Sequence, residues 1–195
     1  MHKLSASFVL GYHGCDEAVG EQLLRNQKFL PSSNDYDWLG EGIYFWEANP
    51  LRGLQFAQEV SSREPKRVKK PFVIGVILDL GYCLDLTTSV GLQMVKGAYL
   101  ALEEAYRAAR LPLPVNRPEQ FRHPLDCAVI NYLHKIRSVK DQTPVDSIKA
   151  IFQEPPQLYS GSAFMEKNHI QIAIRNSECI KGVFRVPKEH LDPSV

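Results

Sequence analysis

The stretch Trp38-Leu-Gly-Glu-Gly-Ile-Tyr-Phe-Trp46 sets two glycines directly before an aromatic, β-favouring run. Glycine lets a chain turn tightly or pass close to a ligand. Tyr44, at the start of the strand, offers a flat face on which a planar ring can stack. Two other side chains could join it. His13 closes the apolar run Phe8-Val9-Leu10-Gly11-Tyr12, and Gln171 lies inside the alternation His169-Ile-Gln-Ile-Ala-Ile174. A histidine can hold a hydroxyl or move a proton near neutral pH. A glutamine amide can hold a hydroxyl but cannot act as a base. Taken singly, each has an ordinary structural reading: a core tyrosine, a strand-end histidine and a solvent-facing strand residue. Cys15 lies two residues from His13, on the same side of an extended chain, so a Cys/His nucleophile pair also enters. A cysteine there more often serves packing.

Other chemistries lack their patterns. There is no GxxxxGK loop followed by Ser or Thr, and Gly40-Glu41-Gly42 precedes a strand instead of opening a helix, so the dinucleotide fingerprint fails. The six histidines are scattered, HExxH is absent, and the four cysteines form no CxxC pair, so no metal site is expected.

The elements that must carry these residues can be read in order. Ser7 to Tyr12 is a first strand. Asp16 caps a short helix over Glu17 to Gln27, with Glu17 suited to its dipole. Leu30 to Asp35 is a loop that delivers the chain to the central stretch. Asn49-Pro50 starts a helix to about Arg63, because a capping side chain precedes a proline whose missing N–H costs nothing. Lys66 to Lys70 is a basic connector, read as solvated. Phe72 to Leu78 is the most apolar run and reads as a central strand, with Tyr82 to Leu86 a further short one. Leu92, Val95, Tyr99, Leu102 and Tyr106 mark a long helix. Leu111 to Pro124 is an irregular connector, Leu125 to Arg137 another helix, and Ser147 to Phe152 a strand. His169 to Ile174 is a half-buried strand whose isoleucines share one face while His169, Gln171 and Ala173 share the other. Ile180 to Val186 is the last strand.

At 195 residues the chain suits a single domain over 1–195, with a helical insertion at about 87–140. Its 44% hydrophobic and 23% charged residues are those of a globular protein, and a net charge of +1 removes any bulk electrostatic case for nucleic acid or membrane. No apolar run approaches membrane-spanning length. Sparse cysteines read as reduced thiols, which points to a cytoplasmic setting.

Tyr12-His13-Gly14, then Gly40-Glu41-Gly42-Ile43-Tyr44-Phe45, then Gln171-Ile172-Ala173-Ile174 resemble, in that order, the three signature segments of ADP-ribosyltransferases of the diphtheria-toxin and poly(ADP-ribose)-polymerase class. The resemblance covers mainly Phe8 to Ala57 and His169 to Phe184. It implies an α+β fold of ADP-ribosyltransferase type, with split antiparallel sheets and NAD bound in the cleft between them. By the same resemblance His13 holds the adenosine ribose, the Gly14 backbone bonds the nicotinamide amide, Tyr44 stacks on nicotinamide and Phe56 closes the sandwich. Cleaving the nicotinamide–ribose bond passes through a cationic transition state, so the site should orient the ribose and stabilise positive charge.

Two positions depart from the family pattern. Cys15 stands where serine or threonine is usual. Gln171 stands where the family carries the glutamate that holds the ribose hydroxyl and helps activate the acceptor. Glu154 and Glu166, read first as surface charges, are candidates for the missing carboxylate. The expected activity is therefore transfer of a single ADP-ribose from NAD to a protein or RNA acceptor, with Gln171, Tyr44 and His13 as the catalytic set and no metal. Its rivals are an NAD glycohydrolase in the same cleft, an inactive NAD-binding module, and a cysteine hydrolase around Cys15. The same general look is associated with bacterial toxins and phage-defence effectors, which implies a neutralising antitoxin protein as a possible partner.

Overall fold

The computed structural model describes residues 8–117 and 122–192. Ser7 of the first expected strand, residues 118–121 of the connector and the last three residues of the tail lie outside the described residues. Seven strands form one sheet in the order β4-β5-β6-β2-β1-β3-β7. They are β1 (Phe8–Asp16), β2 (Ile43–Glu47), β3 (Pro71–Asp79), β4 (Cys83–Asp85), β5 (Ser147–Phe152), β6 (His169–Ile174) and β7 (Ile180–Arg185). Four α-helices accompany them among the described residues: α1 (Glu17–Leu24), α2 (Pro50–Arg63), α3 (Ser89–Ala108) and α4 (Pro124–Val139). The fold is mixed, of α+β type, and every strand pair is antiparallel except β4 with β5.

The helix starts follow local chemistry. The Asp16 carboxylate accepts from Ala18 N and also from the backbone N–H groups of Lys69 and Lys70, so one side chain caps α1 and pins the basic connector. Asn49 accepts from Arg52 N, with Pro50 opening α2, and Thr88 accepts from Gly91 N at the start of α3. The first helix ends at Leu24, earlier than its apolar spacing suggests, because Asn26 takes a left-handed conformation.

Cross-strand pairing sorts the side chains onto two faces. Tyr12 pairs with Trp46, Trp46 with Gln171, and Tyr44 with Ala173, so these share one face. On that face α3 and α4 pack over Leu84, Ile148, Ala150 and Ala173, while α2 lies over β1 and β3. The approach of α2 is close enough that a Cβ on Gly14 would run into the Gly53 carbonyl oxygen. The opposite face carries Phe45, Ile43, Val76, Leu78, Ile172 and Ile174, covered in part by Phe29. The helices expected as an insertion thus complete the core over the β4–β5–β6 end.

Phe72 to Leu78 is an interior strand as expected: it lies in β3, between β1 and the edge strand β7, and is buried on both faces. The middle strand of the seven is β2. The expected split into two sheets is absent: both halves belong to one hydrogen-bonded sheet. Their join is narrow, however. Whereas β1 pairs with β3 from Phe8 to Asp16, it pairs with β2 only at Gly11–Glu47 and Tyr12–Trp46.

Candidate functional site

The three motif strands are neighbours, in the order β6-β2-β1, although 127 positions separate Tyr44 from Gln171. Beyond Tyr12–Trp46 the β1–β2 ladder stops, and a side chain takes over the bridging. His13 Nδ1 donates to the Tyr44 carbonyl at 2.9 Å. A carbonyl only accepts, so the proton sits on Nδ1 and the neutral ring keeps its lone pair on Nε2. Burial lowers the His13 pKa, outweighing the hydrogen bond that raises it. The ring packs edge-on against Phe29, with centroids 5.6 Å apart, and tilted against Phe45 at 5.7 Å. His13 therefore touches the β2 backbone from the Phe45 side, whereas the Tyr44 ring leaves the strand on the other side.

Tyr44 is anchored. Its hydroxyl donates to the Gly40 carbonyl at 2.7 Å and accepts from Leu39 N at 3.1 Å, closing the glycine turn on itself. Its ring packs against the core cluster under α3 and α4. Burial, with a smaller push from Asp37, raises the phenol pKa far above its ordinary value, so the hydroxyl stays protonated. Gln171 faces Trp46 directly across β2–β6 and lies diagonal to Tyr44, and its Oε1 accepts from Trp38 Nε1 at 2.6 Å. Phe56, expected opposite Tyr44, meets Trp46 instead, with centroids 4.8 Å apart. Trp46 also lies 6.3 Å from the His169 ring, which continues through Phe152 (5.2 Å) to Trp38 (4.7 Å). A run of rings thus lines this face between α2 and the N-terminal end of α4.

A charged cluster sits beside those rings, and the sequence did not announce it. Arg52 is 5% exposed and Glu154 4%, and their Nη2–Oε2 distance is 2.8 Å. The same Nη2 lies 3.4 Å from Glu59, while Lys167 reaches Glu59 at 2.9 Å and Glu154 at 3.5 Å. Glu154 is therefore not a surface charge but a buried partner. Glu166 is exposed, as its composition context suggests. The Arg52 guanidinium stands 5.8 Å above the Trp46 ring. His169 Nδ1 donates to the Lys167 carbonyl at 2.6 Å. Four buried nitrogens here have no partner among the described residues: Arg52 Nε and Nη1, Trp46 Nε1 and His169 Nε2. An Arg in a helix and a Glu about 100 positions away carry no joint periodic signal. The only hint was His169 sharing a strand face with Gln171.

Cys15 does not match a nucleophile. Burial, reinforced by Asp16, pushes its thiol up to about 12, so it is protonated at neutral pH. It packs near Gly20 on α1. All four cysteines are unpaired. Among the described residues no group of three or more His, Cys, Asp or Glu side chains is placed to hold a metal ion, and no helix is long and apolar enough to cross a membrane.

No family model and no solved structure matches the chain. It is similar to an uncharacterized protein of Methanocaldococcus jannaschii, with 26% identity over 87% of this chain and 83% of that protein.

Proposed function

We propose that this chain is an NAD-dependent mono-ADP-ribosyltransferase of the cytoplasm, built on an ADP-ribosyltransferase-like variant of the α+β fold. It moves one ADP-ribose from NAD to a macromolecular acceptor and releases nicotinamide. One observation carries the reading: the three signature segments occupy adjacent strands at the sheet's narrowest join, with His13 bonded to the Tyr44 carbonyl across it. The atoms nearby suit the substrate. Rings line the face beside Gln171, as a planar nicotinamide requires, and the unpartnered N–H groups of Trp46 and Arg52 can donate to amide or ribose oxygens. In this reading the Gly14 backbone holds the donor at the join, His13 fixes that join from the opposite face through the Tyr44 carbonyl, Tyr44 keeps the glycine turn and the strand in place, Phe56 and Trp46 form an aromatic wall, and Gln171 holds a ribose hydroxyl.

A second reading, NAD binding without transfer, has its own support. Gln171 is an amide already engaged by Trp38, and the buried Glu154 carboxylate is engaged by Arg52. Labelled NAD incubated with protein and RNA acceptors separates the two. Transfer that falls in Tyr44→Ala and Gln171→Ala supports the first reading, and binding by calorimetry with no turnover supports the second. Free ADP-ribose whose yield does not fall when acceptor is added identifies the glycohydrolase. If the chain acts as a toxin with a neutralising protein partner, growth arrest on expression should disappear in Tyr44→Ala.

A further inference from the structure

Gln171 leaves the proposed reaction without a base, and one buried group on the same strand face can supply it. His169 precedes Gln171 by two residues in β6, so both side chains leave the same face. Its Nδ1–H is committed to the Lys167 carbonyl, which fixes the tautomer and leaves the Nε2 lone pair facing no partner among the described residues. The ring is 6% exposed and is held between Phe152 and Trp46, the residue paired with Gln171. A fixed tautomer, a fixed ring plane and a free lone pair beside the expected ribose subsite are what a general base needs.

We propose that His169 is the general base that activates the acceptor, doing the work that a carboxylate at position 171 would otherwise do. The inference rests on the NAD-transferase reading above. In the step, the acceptor O–H or N–H attacks the ribose C1′ of NAD through its lone pair. The C1′–N bond to nicotinamide breaks, and its electron pair neutralises the pyridinium ring. The acceptor's proton passes to His169 Nε2. The charged groups facing the imidazole are Arg52 and Glu59 from α2, and Glu154 and Lys167 from the chain between β5 and β6. Burial, the largest influence, lowers its pKa, so the base is neutral at pH 7. The chain that carries Glu154 and Lys167 is tied to α2 by ion pairs to Arg52 and Glu59.

The test uses the full chain with NAD and two small nucleophiles in place of the unknown acceptor: water, which must lose a proton, and azide, which has none to lose. Nicotinamide release is followed against pH in wild type and in His169→Asn, whose amide keeps a donor for the Lys167 carbonyl. NAD affinity is measured by calorimetry for both. The expected result is a loss of about 10²-fold in the water reaction, within the usual range for a general base. The azide reaction and NAD affinity should stay within about threefold, and the acid limb of the wild-type pH profile should vanish in the variant. Equal loss with water and azide would make His169 a structural residue and overturn the proposal, as would no loss with either. NAD binding by wild type without nicotinamide release also overturns it while leaving the NAD site intact. No NAD binding by wild type removes the parent reading itself.

Discussion

Truncating Glu154 to alanine should destabilise the protein severely, although the residue lies in an irregular segment. The Arg52 and Glu154 side chains are 6% and 5% exposed, and their contact is 2.8 Å. Removing one member of a buried pair leaves the other charge desolvated and unpaired, at a cost of about 3–5 kcal/mol. Glu59 still lies 3.4 Å from the same guanidinium nitrogen and offsets part of that, so the low end applies. With a urea m-value of about 2 kcal/mol/M for a chain of this size, a loss of about 3 kcal/mol lowers the unfolding midpoint by about 1.5 M. The double variant Arg52→Met with Glu154→Met removes both charges and should recover most of the loss, since replacing a buried ion pair by apolar groups is often neutral. A midpoint shift below about 0.3 M in Glu154→Ala would mean that Arg52 rehydrates freely and that the cluster is not sealed.

Tyr44→Phe should cost about 2 kcal/mol by leaving Leu39 N and the Gly40 carbonyl without the phenol, as a urea titration would record. The ring remains, so NAD affinity by calorimetry should change by less than about threefold. Stability should also fall in acid. Burial holds His134 down to about 4, with Arg175 and Arg137 adding to it, and lowers His13 and His169 as well. These groups are neutral in the fold and bind a proton near pH 6.5 when unfolded, so their contribution is complete above about pH 6.5 and is lost as pH falls toward the folded pKa values. For His134 alone this is on the order of 2 kcal/mol between pH 7 and 5, and His134→Gln should remove that share of the pH dependence in urea midpoints.

Local signals were legible where the cause is local. Asp16, Asn49-Pro50 and Thr88 announce helix starts because a cap and its target lie within three residues. The bounds of β5 and β6 are those expected, but β6 is not the half-buried strand its alternation suggests: His169 and Ala173 are buried on one face as Ile172 and Ile174 are on the other, because helices cover the first face as well. The adjacency of β1, β2 and β6 could be expected only through the family resemblance, because strand order is a long-range property. What the sequence hid is the sidedness and the pairing. His13 lies on the side opposite the Tyr44 ring because the register sets its neighbour Tyr12 against Trp46, and no spacing rule gives a register. The same register makes Trp46 the aromatic facing Gln171. Glu154 reads as a surface charge in the sequence because its burial depends on Arg52, 102 positions away.

If this chain breaks the nicotinamide–ribose bond of NAD and passes ADP-ribose to an acceptor, both products should appear when the purified full chain is incubated with NAD labelled in its adenosine half and with protein and RNA acceptors. Released nicotinamide and covalently attached label are then counted together. Equal amounts of the two are expected, both sharply reduced in Gln171→Ala. Nicotinamide release and attached label at the level of a protein-free blank would rule out the transferase.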